Sequence, residues 1–294
     1  MEFTATEHAA LMRVRFPNGM TAQNEGNVLR RVLIILNDAT VDTIGNGSKA
    51  IWGSTRANSG GVRAHVDEQG NVTQLLNHFL FAQFMPQPTA IRLVSNNQSK
   101  KIYGYAEFAP DVTEVTVAVA TSLISLDQAR ANFEHELLVE GSVIGFDELA
   151  AAGKEAWRRT LQRVEVLDVG AVGISNDGNV TAHDLLTTFY SNLYRSVMFP
   201  RILTEYTRSN EAVHFSAFDK DGGVFSGEAT TDQGFWDSYR TVYAQLSIAY
   251  PEQCARLIGA WVNAWKEGGC AALLPARPPA RPPARPPDSP SKVA

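Results

Sequence analysis

Cysteine is nearly absent from this chain. The 294 residues contain two, Cys254 and Cys270, too few for a disulfide framework. Cys254 falls on the apolar face of a helical pattern, the place of a small core residue rather than a reactive thiol. No run of eighteen or more apolar residues occurs, so no transmembrane helix and no membrane insertion are expected. Positive charge is not in excess: the net charge is −5, which argues against a general binder of nucleic-acid phosphates. The opening Met1-Glu2-Phe3-Thr4-Ala5-Thr6-Glu7 lacks the basic-then-apolar pattern of a signal peptide. Either the protein is cytosolic or its true start lies upstream. The sequons at Asn46, Asn71, Asn97 and Asn179 are short patterns that carry little weight.

Several catalytic signatures are also missing. His135-Glu136 has no second His four residues after the first, so the zinc-protease pattern fails. Asp219-Lys220-Asp221-Gly222-Gly223 resembles the opening of a calcium loop. An EF-hand needs Gly at position six and Glu at position twelve, whereas Gly223 and Glu228 fall at five and ten. It reads as a Gly-rich turn. No Gly-X-Ser-X-Gly elbow, phosphate loop or Cys-X-X-Cys is found.

What is present begins with a hydrophobic share of 44%, enough for a sizeable core. Residues 1 to about 120 carry the turn spacing of β structure. Residues 11–16 alternate apolar and basic. Residues 32–36 are wholly apolar and predict a strand buried on both faces. Asp67-Glu68-Gln69-Gly70-Asn71 is a turn signal, followed by a β-compatible run at 79–84. Tyr103, Tyr105 and Glu107 share one strand face, and Val115, Val117 and Val119 alternate with small or polar neighbours. Many short strands separated by Gly, Asn and Asp predict a sandwich.

The period then changes from two to 3.6 residues. Ser125-Leu126-Asp127-Gln128 fits a capping box opening a helix through about residue 137. A second helical pattern runs from Phe146 to Leu161. Gly153 weakens it by about 1 kcal/mol relative to Ala, and Trp157 is expected to pack into the core against the strands. A wide stripe from Leu186 to Met198 is closed by Pro200. A further helix is expected from about Asp232, carrying Phe235, Trp236, Tyr239, Val242, Tyr243 and Leu246. Pro251 suits a first helical position, and Gly268-Gly269 a C-terminal stop. From Cys270 the chain turns into Pro-Ala-Arg-Pro repeats that can form polyproline II but cannot bury a core.

The segment Gly234-Phe235-Trp236-Asp237-Ser238-Tyr239-Arg240-Thr241 concentrates aromatic faces, a carboxylate and a guanidinium. Trp offers an apolar surface to the C–H face of a pyranose, and Asp accepts hydrogen bonds from adjacent sugar hydroxyls. Arg240, three residues after Asp237, is placed to orient that carboxylate. On helical spacing alone, a core Trp beside a surface ion pair explains the same residues.

Five blocks in order then resemble glycoside hydrolase family 92, the calcium-dependent exo-acting α-mannosidases. Thr4-Ala5-Thr6-Glu7-His8 resembles the family's Thr-Ala-Thr-Glu-Arg strand. Ser125-Leu126-Asp127-Gln128-Ala129-Arg130 is similar to its Ser-Val-Glu-Gln-Ala-Arg segment. The stretch from Trp157 to Val166 resembles its Trp-containing linker. Thr188-Phe189-Tyr190-Ser191-Asn192-Leu193-Tyr194 resembles a Thr-Phe-Tyr-Thr-Ala-Leu-Tyr helix, and Trp236-Asp237-Ser238-Tyr239-Arg240 a Trp-Asp-Thr-Tyr-Arg segment. The resemblance implies a β-sandwich followed by an (α/α)6 toroid, with Trp236 and Asp237 touching a terminal mannose of a glycan. It also implies inverting hydrolysis, with two carboxyl groups standing about 6.5–9.5 Å apart, and calcium helping to bind and distort the sugar.

The resemblance divides the chain into a sandwich domain at 1–122 lacking its N-terminal part, linker helices at 123–168, the start of the toroid at 169–269 and a disordered Pro/Arg-rich tail at 270–294. The family's general acid, general base and calcium ligands have no counterpart in the sequence, so no catalytic residue and no metal ligand is carried over. The expectation is therefore an internal, catalytically inactive portion of such an enzyme, secreted or periplasmic if its start lies upstream. The alternative is a non-catalytic carbohydrate-binding or protein-interaction module with a Pro-rich tail.

Overall fold

The computed structural model describes residues 1–17, 30–36, 38–43, 49–55, 63–66, 72–75, 77–96, 101–168, 181–216, 219, 222–230 and 238–268. The turn expected at 67–71 and the tail at 270–294 lie outside them.

Strands come first, and every described pairing is antiparallel. Six of them, β1 (Glu2–Ala5), β2 (Ala9–Arg15), β4 (Asp38–Thr43), β5 (Lys49–Thr55), β8 (His78–Met85) and β11 (Glu114–Ser122), form one sheet in the order β1-β2-β11-β8-β5-β4. A second sheet has β10 (Lys101–Phe108) between β3 (Arg30–Leu36) and β9 (Ala90–Asn96). Strands β6 (Arg63–Val66) and β7 (Val72–Leu75) pair with each other.

The period-two pattern decides which side chains go where. On β11, Val115, Val117 and Val119 face the small sheet, where they meet Ala106, Phe108 and Leu36. The intervening Ala118 and Ala120 face the opposite way, onto a helix. Ile51 and Phe84 point with the valines, and Ala50 and Phe81 with the alanines. The large sheet is thus covered on both faces. Gly104 on β10 sits under tight packing: a Cβ there would stand 3.3 Å from side-chain atoms of Ile51 in the large sheet and of Leu93 on the neighbouring strand.

The expectation of a fully buried strand at 32–36 is corrected here. Val32 and Ile34 face the large sheet, but Leu33 is 54% and Ile35 48% exposed. The three-stranded sheet packs through one face only, so alternate residues of an all-apolar run must face outward.

Helix α1 (Leu126–Leu137) lies on the alanine face of the large sheet. Small residues on both sides, Ala9, Ala118, Ala120 and Ala129, let it come close. Phe81 sits edge-on between Trp52 and Phe133, each 4.8 Å away between ring centroids, the preferred quadrupole arrangement. Ser125 is the N-cap, accepting the Gln128 N–H at 3.0 Å. The reciprocal half of the capping box is not formed. Gln128 Nε2 donates instead to Asn132 Oδ1 at 2.9 Å and to the Tyr206 carbonyl at 2.8 Å, because the side chain is buried where those acceptors compete for it.

A short hairpin, β12 (Leu138–Val139) and β13 (Ser142–Val143), leads to α2 (Phe146–Leu161). Trp157 of α2 is 40% exposed and tilts against Tyr194, 4.5 Å between centroids. This corrects its expected burial against the strands. Helix α3 (Ala182–Ser196) opens with a complete capping box of Thr181 and Asp184. A small sheet follows, with β15 (Ala212–Phe215) between β14 (Glu205–Tyr206) and β16 (Val224–Ser226). Helices α4 (Val242–Ala249) and α5 (Pro251–Gly268) close the described chain. Leu193, Leu246, Tyr250 and Leu257 form the buried centre where α3, α4 and α5 meet, with Leu161 of α2 alongside. Pro251 starts α5 as expected.

One long helix from about Asp232 is not what forms. Residues 231–237 lie outside the described set, but Tyr239 and Arg240 form a turn and Thr241 caps a separate helix. Tyr239, expected on the apolar stripe, is exposed. The fold is therefore mixed, with sheets in the N-terminal part and mainly helices in the C-terminal part.

Candidate functional site

A polar junction joins the large sheet, α1, the β14–β16 sheet and α5. Its first member is the turn Thr6-Glu7-His8 joining β1 to β2. Glu136, in the last turn of α1, reaches this turn with both carboxylate oxygens. Oε2 accepts the His8 backbone N–H at 2.9 Å and the Thr6 hydroxyl. Oε1 lies 2.6 Å from His8 Nδ1, and the two side chains are only 10% and 14% exposed.

Burial opposes charge on both partners, yet each is shifted toward its charged form. For His8, burial is outweighed by the hydrogen bond and charge of Glu136, with Glu205 and Glu7 beyond, and its pKa lies above the ordinary value. For Glu136, burial is outweighed by the hydrogen bonds from His8 and Thr6 and by the His8 charge, and its pKa lies below the ordinary value. The two shifts agree on an ionised pair. His8 Nε2 is buried without a hydrogen-bond partner among the described residues.

A second carboxylate, Glu205 of β14, is 1% exposed. It accepts the Leu123 N–H and Asn132 Nδ2, each at 2.8 Å. Asn132 Nδ2 also donates to the Thr121 carbonyl at 2.8 Å. A buried carboxylate survives only when such donors replace its water.

The third, Glu228, binds Arg256 of α5 in the two-pronged manner, Nε to Oε1 at 3.1 Å and the terminal nitrogen to Oε2 at 2.9 Å. It also accepts the Thr204 hydroxyl at 2.9 Å. Burial pushes the Glu228 pKa up, but Arg256 and Thr204 more than reverse it. His214 adds a further link, with Nδ1 3.0 Å from the Gly227 carbonyl and Nε2 3.0 Å from Glu267 of α5.

These three carboxylates are occupied by protein donors. Each is held by donors from other elements of the fold. They tie strand, helix and loop together. Periodicity could not have found them, since the partners are separated by up to 130 positions in the chain. The one local signal was the Thr6-Glu7-His8 segment itself.

Of the residues singled out in the sequence, Trp236 and Asp237 lie outside the described residues. Arg240 is described and exposed. Its Nε donates to the Tyr239 hydroxyl at 3.0 Å, with the guanidinium 5.4 Å from that ring's centroid. The motif is anchored at its next residue: Ser238 is buried, and its hydroxyl is 2.6 Å from the Tyr243 hydroxyl of α4. Tyr243 in turn stands edge-on to Trp261 of α5 at 5.1 Å.

Among the described residues no group of three or more His, Cys, Asp or Glu side chains converges on one point. Calcium takes six to eight oxygen ligands, and no described constellation fits it. Asp219, in the loop once compared with a calcium site, spends Oδ2 on the Gly223 N–H at 3.0 Å. Lys220 and Asp221 of that loop lie outside the described residues. No described helix is long and apolar enough to cross a membrane.

Known proteins bear on this arrangement in three ways. No curated protein sequence matches the chain. Among solved structures, an inverting mannosidase of family GH92 from Bacteroides thetaiotaomicron VPI-5482 superposes with a TM-score of 0.70 at 26% identity, over 91% of this chain and 33% of its own. The family GH92 glycosyl hydrolase ccman5 has a TM-score of 0.66 at 18% identity, over 90% of this chain and 32% of its own. A family GH92 α-mannosidase from Bacteroides thetaiotaomicron gives 0.56 at 17% over 83% and 31%. The chain thus spans about a third of the length of these structures. Residues 128–277 match the pattern described as the glycosyl hydrolase family 92 catalytic domain. That stretch starts at Gln128 in the junction, includes Glu205, Glu228, Arg256 and the Trp236-Asp237 motif, and takes in just over half of the sequence, so the chain belongs to glycosyl hydrolase family 92.

Proposed function

We propose that this chain contributes the mannose-contacting wall of a family 92 α-mannosidase acting on terminal α-mannosides of glycans. Trp236 stacks on the sugar, Asp237 accepts its hydroxyl protons, and Arg240 orients Asp237. In this reading 1–122 is the β-sandwich, 123–168 the linker helices, 169–269 the start of the (α/α)6 toroid and 270–294 a Pro/Arg-rich tail. The groove between sandwich and toroid is the sugar site, in a secreted or periplasmic setting.

The observation that carries the proposal is the family match over 128–277, which includes Trp236, Asp237 and Arg240 in one block. The likeness to an inverting mannosidase across 91% of the chain supports it. Inversion and calcium dependence follow from the family, and they require an acid, a base and metal ligands. The proposal assigns none of these to a residue of the chain and gives residues 1–294 sugar contact without turnover.

The test is a titration of the 294-residue chain with methyl α-mannoside, beside an assay of aryl α-mannoside hydrolysis. Binding weakened about tenfold or more by Trp236→Ala and by Asp237→Asn is the expected result, with no hydrolysis above the Trp236→Ala control. Binding indifferent to both substitutions overturns the assignment of these residues. Hydrolysis above the control overturns the division of labour.

A further inference from the structure

We infer that Tyr243 is a positioning residue for the sugar-contacting pair: its hydroxyl acts through Ser238 to set where Asp237 stands, on a frame supplied by α5. The inference rests on the reading of Trp236 and Asp237 as mannose contacts.

The described chain approaches the motif from both sides, and both sides are fastened to α5. On the upstream side, Arg256, Asn263 and Glu267 are spaced by seven and four residues, which places them along one face of the helix. Each holds the segment that leads into the motif. Arg256 binds the Glu228 carboxylate through two nitrogens. Asn263 Nδ2 donates to the Glu228 carbonyl at 2.9 Å. Glu267 stands 3.0 Å from His214. Gly227 has a φ of +103°, and a Cβ there would lie 3.0 Å from Asn263 Nδ2. Only glycine meets both demands, the left-handed backbone and the close approach of the helix. One residue further on, the Ala229 N–H donates to Thr204 Oγ1 and its carbonyl accepts the Leu203 N–H, both at 2.9 Å. Thr230 then pairs with Ile202 in a single antiparallel bridge. The chain thus leaves residue 230 from a fixed point.

On the downstream side the fastening is one contact between side chains. Ser238 is 7% exposed, and its hydroxyl lies 2.6 Å from that of Tyr243. The Tyr243 ring packs against the buried centre of the helices and stands edge-on to Trp261 of α5, 5.1 Å between centroids. Packing of this kind needs only the ring. The hydroxyl adds the hold on Ser238, which closes a loop over the Tyr239-Arg240 turn. Consecutive Cα atoms are about 3.8 Å apart across a trans peptide. An anchored Ser238 therefore restricts the arc open to the Asp237 carboxylate, and lowers the ordering cost when a sugar binds.

Arg240 acts in a different way. It is exposed and donates through Nε to the Tyr239 hydroxyl. A hold on Asp237 by so exposed a guanidinium weakens as salt rises. The Ser238–Tyr243 contact joins two neutral hydroxyls, so its effect on binding is independent of salt.

The experiment follows methyl α-mannoside binding by the 294-residue chain, beside fluorine NMR of the same chain labelled with fluorotryptophan. The sequence has five tryptophans, and the resonance missing from Trp236→Ala is that of Trp236. Tyr243→Phe keeps the ring and removes the hydroxyl. It is expected to weaken binding about fivefold at low and high salt alike, and to shift or broaden the Trp236 resonance. Ser238→Ala should do the same, and Ser238→Thr, which keeps a hydroxyl, should bind as wild type. The double variant Ser238→Ala with Tyr243→Phe should lose no more affinity than either single one. Each single variant strands a hydroxyl, whereas the double removes both. Its melting temperature should therefore return toward wild type while binding stays weak. Binding that recovers together with the melting temperature would make the contact purely structural and overturn the inference. Unchanged binding in Tyr243→Phe, where Trp236→Ala weakens it, also overturns the inference and leaves the Trp236 assignment standing. Binding indifferent to Trp236→Ala overturns that assignment, and this inference with it.

Discussion

At the residue scale, the His8–Glu136 pair is the contact whose loss is most readily read. It joins the β1–β2 turn to the end of α1 through three donors on one carboxylate. Removing one partner of a buried pair leaves the other uncompensated, at a cost of roughly 3–5 kcal/mol. Its pH dependence has a defined sign. Glu136 is shifted below its usual 4.5, so its contribution is present above that value and fades as pH falls through the lower folded value. His8 is shifted above its usual 6.5, so its contribution is full below 6.5 and fades as pH rises through the higher folded value. Denaturant titrations of wild type and His8→Gln should thus differ most between pH 4.5 and 6.5. Their midpoints should draw together in more alkaline buffer. A gap that stays constant from pH 6.5 into alkaline buffer would show that the pair is not ionised.

At the element scale, what could be read from the chain was what depends on near neighbours. Ser125 as N-cap, Pro251 as helix start and the helices Leu126–Leu137 and Phe146–Leu161 are all local matters of capping and period. The strand at 32–36 was misjudged because apolarity does not say how many faces a sheet will cover. Gln128 left the capping box because a carbonyl 78 positions away competed for it. The helix expected to carry Tyr239 was broken at Thr241, a position with no Pro or Gly to announce it. The way α1 and the sheet fit together is likewise non-local, and it centres on Phe81. Phe81→Ala should cost about 3–5 kcal/mol, because it removes both edge-on contacts and leaves a void between Trp52 and Phe133. Leu33→Lys, on the outward face of β3, should shift stability by about 0.5 kcal/mol or less. Chemical denaturation of the two variants side by side checks this. Equal losses would mean that the outer face of the small sheet is covered after all.

At the scale of the whole molecule, the family motif was legible and its surroundings were not. Trp236-Asp237 could be singled out because it is contiguous. The polar junction joins residues from Thr6 to Glu267 and exists only once the chain has folded. The same scale governs how the molecule meets solvent. On α5, Ile258, Val262 and Trp265 recur at intervals of four and three residues, one helical face, and each is about half exposed. Ile248 at the end of α4 is 84% exposed. Contiguous apolar surface of this kind drives association, whereas the outward leucine and isoleucine of β3 are interleaved with the Arg31–Glu107–Arg92 ion pairs that keep that sheet wetted. Self-association should therefore run through α5. Light scattering coupled to sizing chromatography should show mass rising with concentration for the wild-type chain. The double substitution Ile258→Glu and Trp265→Lys should return it to monomer mass without lowering its melting temperature, since neither side chain belongs to the buried centre formed by Leu193, Leu246, Tyr250 and Leu257. A wild-type chain that stays monomeric at all concentrations would show that this helical face is compatible with water as it stands, and association that survives the double substitution would move the contact to another surface.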